Sequence, residues 1–102
     1  MKTKQFIYPI PGNKIVLQNI NCVQIGIEAP HSFPITELNT STQDLEVVLR
    51  IQDSETGRGI DYIVTDKDIL EFSYIYYIDL SITIIKTNNP YLIIDIGYTT
   101  AD

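Results

Sequence analysis

The chain carries few of the side chains on which enzymes depend. Its one histidine, His31, stands beside Ser32 in a stretch that contains two prolines. A catalytic histidine needs a nucleophile and an orienting acid within hydrogen-bond reach, and no spacing here indicates such a set. The one cysteine, Cys22, has no basic neighbour in the sequence to activate its thiol. We therefore predict a protein that is not an enzyme, with Cys22 as a small buried residue in a reducing compartment.

Two further stretches fall short of a metal or phosphate site. Asp66 and Asp68, with Asp61 upstream, lack the central glycine and the distal bidentate glutamate of a calcium loop. Transition metals would need more histidine or cysteine than the chain has. Residues 57–59 lack the Lys-Ser/Thr of a phosphate-binding loop, so they predict a flexible tip at which Arg58 could contact a partner. We expect no cofactor and no metal.

The tyrosines give the clearest indication of a binding surface. Tyr74, Tyr76 and Tyr77 cluster in the sequence SYIYYID. Such a cluster could be half-buried in a sheet, could anchor a protein interface, or could stack on a sugar. Paired carboxylates for glycoside hydrolysis are a further class, but no pair stands out.

The composition favours β-strands as the elements that position these residues. Isoleucine occurs 19 times and tyrosine 7 times, against 2 alanines. Isoleucine and tyrosine favour pleated, half-buried surfaces, whereas alanine is the best helix former. With 102 residues the chain is long enough for one domain with a single core.

Hydrophobic alternation predicts about eight short strands. In residues 22–29, Val23, Ile25 and Ile27 alternate with polar residues or glycine, and residues 44–51 and 91–98 alternate in the same way. No helical period exceeds one turn. We predict an all-β fold: a single small β-sandwich, or a partly open barrel, of antiparallel strands.

The first 14 residues predict an extended N-terminal arm that precedes the sandwich at residues 15–102. Pro9 and Pro11 cannot donate to a ladder and also interrupt any signal-peptide core. No apolar run approaches the roughly 20 residues of a membrane span, so we expect a soluble protein without membrane contact.

Charge is distributed unevenly between this arm and the rest of the chain. Residues 1–27 carry three lysines and no acid, whereas residues 28–102 carry all 13 acids and four cations. The acidic body argues against nucleic-acid binding. The cationic arm could dock on the negative face of a neighbouring subunit, and the alternative is a solvated, disordered terminus.

Four segments carry a resemblance to a known group of proteins: GIE at 26–28, SF at 32–33, DILEF at 68–72 and IIDIGY at 93–98. Together they resemble strand patterns in small virion proteins of tailed bacteriophages, particularly crAss-like gut phages. The pattern usually has a glycine before its middle strand, where this chain has Lys67-Asp68. The resemblance implies a β-sandwich that decorates a capsid or builds part of a head fibre or tail, and it supplies no site residues.

We therefore predict a non-enzymatic structural protein of a phage particle, an auxiliary (decoration) capsid protein that binds the major capsid protein or other virion proteins. It would be made in the host bacterial cytoplasm and carried at the capsid surface or in the tail, and its contacts could also join copies of the chain. The alternative is a carbohydrate-binding module that uses the tyrosine cluster. The predicted partner-binding residues are Lys2, Lys4, Phe6, Tyr8, Arg58, Tyr74, Tyr76 and Tyr77.

Overall fold

The computed structural model describes residues 1–28, 46–65, 69–89 and 91–101. Within these ranges the chain forms six strands and no helix, which confirms the all-β prediction. The strands are β1 (Lys2–Ile7), β2 (Lys14–Glu28), β3 (Val47–Asp53), β4 (Gly59–Val64), β5 (Leu70–Thr87) and β6 (Ile93–Thr100).

The predicted count of eight strands is not confirmed. The described residues form six strands, and two of them are long: β2 has 15 residues and β5 has 18. Residues 35–38, which were predicted as a short strand, lie outside the described ranges.

All six strands belong to one open antiparallel sheet with the order β1-β6-β2-β5-β3-β4. Among the described strands, β1 and β4 are therefore the two at the edges. The long strands β2 and β5 lie at the centre and pair with each other along both of their halves. A two-sheet sandwich is not confirmed, because the described strands make up a single connected sheet.

The period-2 alternation places the core on one face of each strand, as expected for a pleated sheet. On β6, Ile94, Ile96 and Tyr98 are buried while the residues between them are partly exposed. On β3, Val47, Leu49 and Ile51 are buried in the same way. These faces confirm the alternation predicted for residues 47–51 and 91–98, while residues 44 and 45 lie outside the described ranges. The core cluster draws residues from every strand, from Phe6 and Leu17 through Val64 and Ile82 to Ile94.

Two bulges in the pairing of β2 with β5 bend these central strands. The pairing moves from Leu17–Leu80 to Ile20–Ile78, which leaves one extra residue on β2, where Asn19 has a positive φ of 54°. It then moves to Cys22–Ser73, which leaves three extra residues on β5. Bulges bend the strand that carries them and increase its twist. The second half of β2 and the first half of β5 therefore take a different direction from the rest of those strands.

Hydrogen bonds to Asp79 hold this bend. Its carboxylate accepts a bond of 2.9 Å from the backbone N–H of Asn19, and its carbonyl accepts one of 2.9 Å from the N–H of Ser54. The side chain thus satisfies a backbone donor that the bulge withdraws from the ladder.

The N-terminal residues do not form a separate arm. Lys2–Ile7 pairs with β6 along its whole length, and Phe6 is only 5% exposed within the core. Residues 8–13 then cross to β5, where the N–H of Gly12 donates to the carbonyl of Ile84 at 2.8 Å. The prolines are tolerated because they follow the strand, where no ladder donor is needed.

Candidate binding surface

An apolar cleft with aromatic walls lies between β4 and the first half of β5. Its volume is about 250 Å³. Ile60 and Tyr62 line it from β4, and Phe72 and Tyr74 line it from β5. The rings of Tyr62 and Phe72 meet edge to face across it, with centroids 5.0 Å apart and planes at 63°. Edge-to-face contact is a favourable arrangement for aromatic pairs.

The two walls of this cleft are strand edges that are not joined to each other. Within the described residues, β4 pairs only with β3, and residues 70–73 of β5 pair only with β2. The rings of Tyr62 on β4 and Phe72 on β5 touch, but no ladder joins these two strands. We call the two segments, residues 59–64 and 70–74, the seam.

A tight turn places Arg58 at the rim of the cleft. The Asp53 carboxylate accepts from the backbone N–H groups of Glu55 at 2.8 Å and Thr56 at 3.4 Å, and Gly57 has a φ of 76°. Aspartate at the start of a turn and glycine at a left-handed position are the residues that such geometry favours. The predicted tip is a turn that these hydrogen bonds define.

Arg58 is exposed and belongs to neither of the ion pairs found in the described ranges. Those pairs join Arg50 to Asp61 at 2.8 Å and Lys86 to Glu46 at 3.4 Å. The guanidinium of Arg58 is therefore left to interact with a carboxylate that approaches the cleft.

The Tyr74 hydroxyl group stays protonated at neutral pH. Burial raises the pKa of Tyr74 above its ordinary value of 10.0, and the nearby Tyr62 and Asp53 raise it further because they disfavour a negative charge there. Tyr74 therefore presents a neutral O–H group and a ring to the cleft.

The β5 bulge creates a second surface, residues 75–77, which we call the corner. Ile75 is 93% exposed, Tyr76 80% and Tyr77 53%. Three consecutive exposed apolar residues break the strand alternation, because the extra residues of the bulge have no partner on β2. Tyr74 lines the cleft and the two corner tyrosines do not, so the bulge divides the predicted tyrosine cluster between two surfaces.

The predicted residues of the N-terminal segment take three different positions. Lys2 and Lys4 are exposed on β1 and line a separate cleft of about 400 Å³. Tyr8 is 41% exposed, and its ring packs edge-on against Tyr91 at 6.4 Å. The side chain of Phe6 lies in the core and is not available on the surface of this chain.

The described residues contain no cluster of three or more His, Cys, Asp or Glu that could hold a metal ion. Asp61 instead pairs with Arg50, and the hydrogen bond from that guanidinium, together with its positive charge, lowers the pKa of Asp61 below 3.8 against a smaller effect of desolvation. Cys22 is partly buried and accepts a long hydrogen bond of 3.8 Å from the hydroxyl group of Ser73. His31, Ser32, Asp66 and Asp68 lie outside the described residues.

Sequence reasoning missed the seam as a site. The signal was present, because residues 60–64 and 69–74 alternate on either side of a short polar turn, as in a hairpin. That pattern alone predicts a closed ladder. Only the pairing of β4 with β3 and of β5 with β2 shows that the ladder is absent.

Comparison with known proteins gives no relative to set beside this geometry: no family model, curated protein or solved structure matches the chain significantly. In the part of the chain that is described, no helix combines the length and the apolar character that crossing a bilayer requires.

Proposed function

We propose that this chain is a non-enzymatic structural protein that works by binding neighbouring proteins, with the corner as its principal contact. The exposure of Ile75, Tyr76 and Tyr77 is the observation that supports this most directly. Large apolar side chains that stand together on a surface mark interaction sites, and tyrosine is enriched among the residues that dominate interface energies.

Covering the corner with a partner would contribute substantial binding free energy. Burying a large apolar side chain stabilises an interface by roughly 1.5–3 kcal/mol, less the cost of ordering it. Pairing with β2 holds both ends of the corner's bulge, Ser73 with Cys22 and Ile78 with Ile20. Fixed ends limit the conformational entropy that the segment loses on binding.

The identity of the partner follows from the resemblance to small virion proteins of tailed bacteriophages. On that basis the partner is the major capsid protein or another virion protein, and this chain is an auxiliary capsid (decoration) protein. Lys2 and Lys4, exposed on β1, supply a cationic second contact for a negative face of the neighbour.

Particle retention tests the role of the corner. In particles of the phage that encodes this chain, the Tyr76→Ser and Ile75→Ser variants should be lost on washing at concentrations at which wild-type protein is retained. Ile10→Ser is the matched control, because Ile10 is also exposed, at 61%, but lies outside the corner. Equal retention of the corner variants and the control would contradict the proposal.

The contribution of the cationic strand needs a substitution test. Deletion of residues 1–13 would remove β1 and the buried Phe6, so loss of retention could reflect unfolding. Lys2→Glu with Lys4→Glu keeps the strand and reverses its charge. We expect retention to fall at low salt and the difference from wild type to shrink as salt is added, because salt screens both the wild-type attraction and the repulsion in the variant.

A carbohydrate-binding role is the second candidate, favoured by the open faces of Tyr76 and Tyr77. Tyr74 belongs to the cleft, so a sugar platform would consist of the two corner tyrosines rather than all three. Specific signals on a glycan array that disappear in Tyr76→Ala and Tyr77→Ala would favour this candidate. A blank array with normal particle retention would favour the first.

A further inference from the structure

The two edges of the sheet are protected to different degrees. β1 carries Lys2 and Lys4, and lysine on an edge strand discourages pairing with other chains. β4 has the sequence GIDYIV, with no lysine or proline, and Ile60 and Ile63 are 61% and 60% exposed. Its one charge, on Asp61, is already paired with Arg50. β4 is therefore the edge that the sequence leaves open to a partner strand.

One side of β4 has no partner strand within the described residues. β3 takes up the other side, and residues 70–73 of β5 likewise pair with β2 on one side only. Backbone N–H and C=O groups on a strand edge are strong and unsatisfied binding groups. Beside them lies the cleft of about 250 Å³, lined by Tyr62, Phe72 and Tyr74.

We infer that the seam is a docking site for an extended strand of a partner protein that pairs with β4, places one large apolar side chain in the cleft and sets one carboxylate against Arg58. In such strand addition the main-chain bonds give affinity and the side-chain pocket gives specificity. The inference rests on the proposed role as a binding protein, but it concerns a surface separate from the corner.

Charge selects the partner at the rim of the cleft. Arg58 belongs to neither ion pair of the described ranges, whereas one Asp53 oxygen is already engaged by two N–H groups of the turn. An arginine binds a carboxylate through paired, charge-assisted hydrogen bonds. The chain as a whole carries a net charge of −6, but contributions beyond roughly 8–10 Å are screened at physiological salt.

A defined peptide can test this docking mode. The probe is a capped ten-residue peptide in which Val and Thr alternate, with a central Phe and one Glu. We expect it to bind the intact chain and to slow hydrogen exchange at residues 60–64. Ile60→Lys should weaken binding by about tenfold or more, because it places a charge on the open edge. Ile7→Lys, at an exposed isoleucine of β1, is the matched control and should leave affinity unchanged.

Two further comparisons separate main-chain pairing from side-chain recognition. N-methylation of alternate peptide amides should abolish binding, since it removes ladder donors. Arg58→Glu should reverse the preference, so that a peptide with Lys in place of Glu binds better than the original. The absence of binding by wild-type protein, or equal binding by Ile60→Lys and Ile7→Lys, would overturn the inference.

The remaining outcomes distinguish this inference from its rivals. Without peptide, hydrogen exchange at residues 60–64 could become slower as the protein concentration rises. That result would show that a second copy of the chain occupies the seam, and it would overturn the inference of a separate partner protein. Tyr76→Ser should leave peptide binding unchanged. If the corner variants are retained in particles as well as the control while the peptide binds normally, the corner contact is refuted and the seam inference stands.

Discussion

At the scale of single residues, two isoleucines of β5 have different roles: one is buried and stabilises the fold, and the other is exposed and available for binding. Ile82 is 0% exposed and Ile75 is 93% exposed. Replacing Ile82 with alanine leaves a cavity in the core and should lower the free energy of unfolding by roughly 2–5 kcal/mol. Ile75→Ala should change it by less than about 0.5 kcal/mol. Urea denaturation of both variants measures the difference, and equal losses would mean that the corner is buried in the folded chain.

The Arg50–Asp61 pair gives a pH-dependent prediction. The hydrogen bond from Arg50 lowers the pKa of Asp61 in the folded state, so the pair stabilises the fold above the ordinary aspartate pKa of 3.8. That contribution is lost as the pH falls through the lowered value. In Arg50→Gln, an NMR titration should show the Asp61 pKa moving up toward 3.8. An unchanged titration would mean that the two side chains do not pair in solution.

Residue identity allowed part of the candidate site to be predicted. Arg58 was assigned to an exposed tip, and the structure places it on an exposed turn because Gly57 and Asp53 favour that geometry locally. Phe6 was expected to contact a partner, yet it lies in the core. Its burial depends on pairing with the last strand of the chain, which local sequence does not encode.

At the scale of the elements, the bulge of β2 depends on Asn19. Its φ of 54° is left-handed, a conformation that asparagine and glycine tolerate and β-branched residues do not. Asn19→Val should therefore destabilise the fold by roughly 1–3 kcal/mol, while Asn19→Gly should cost less. Thermal unfolding of the two variants provides the comparison, and equal stability would show that the bulge tolerates any residue.

The long strands show how far sequence alone can define an element. The bulge at Asn19 bends β2, but the chain continues as one strand through it. In β5 the run of tyrosines marked no boundary, and the three extra residues became a bulge. A bulge and a turn have similar local signals, and only pairing with a neighbouring strand distinguishes them.

For the whole molecule, the pairing of the first strand with the last makes the fold depend on its N-terminus. Removing residues 1–7 exposes the edge of β6 and takes Phe6 from the core. The truncated chain should lose several degrees or more in Tm, since 1 kcal/mol corresponds to roughly 4–8 °C in a domain of this size. Circular dichroism melting measures this. An unchanged Tm would mean that β1 is a dispensable arm, as the sequence first suggested.

The sequence by itself determined the all-β class and the inward faces of most strands, because pleated strands record burial as a local alternation of residue types. It also determined the scarcity of catalytic side chains. Only the tertiary structure decided the strand order, the bend at the two bulges, the division of the tyrosines between corner and cleft, and the unpaired seam. These depend on contacts between residues distant in the chain, such as Tyr98 with Lys2 and Leu49 with Ile84, which no local pattern specifies.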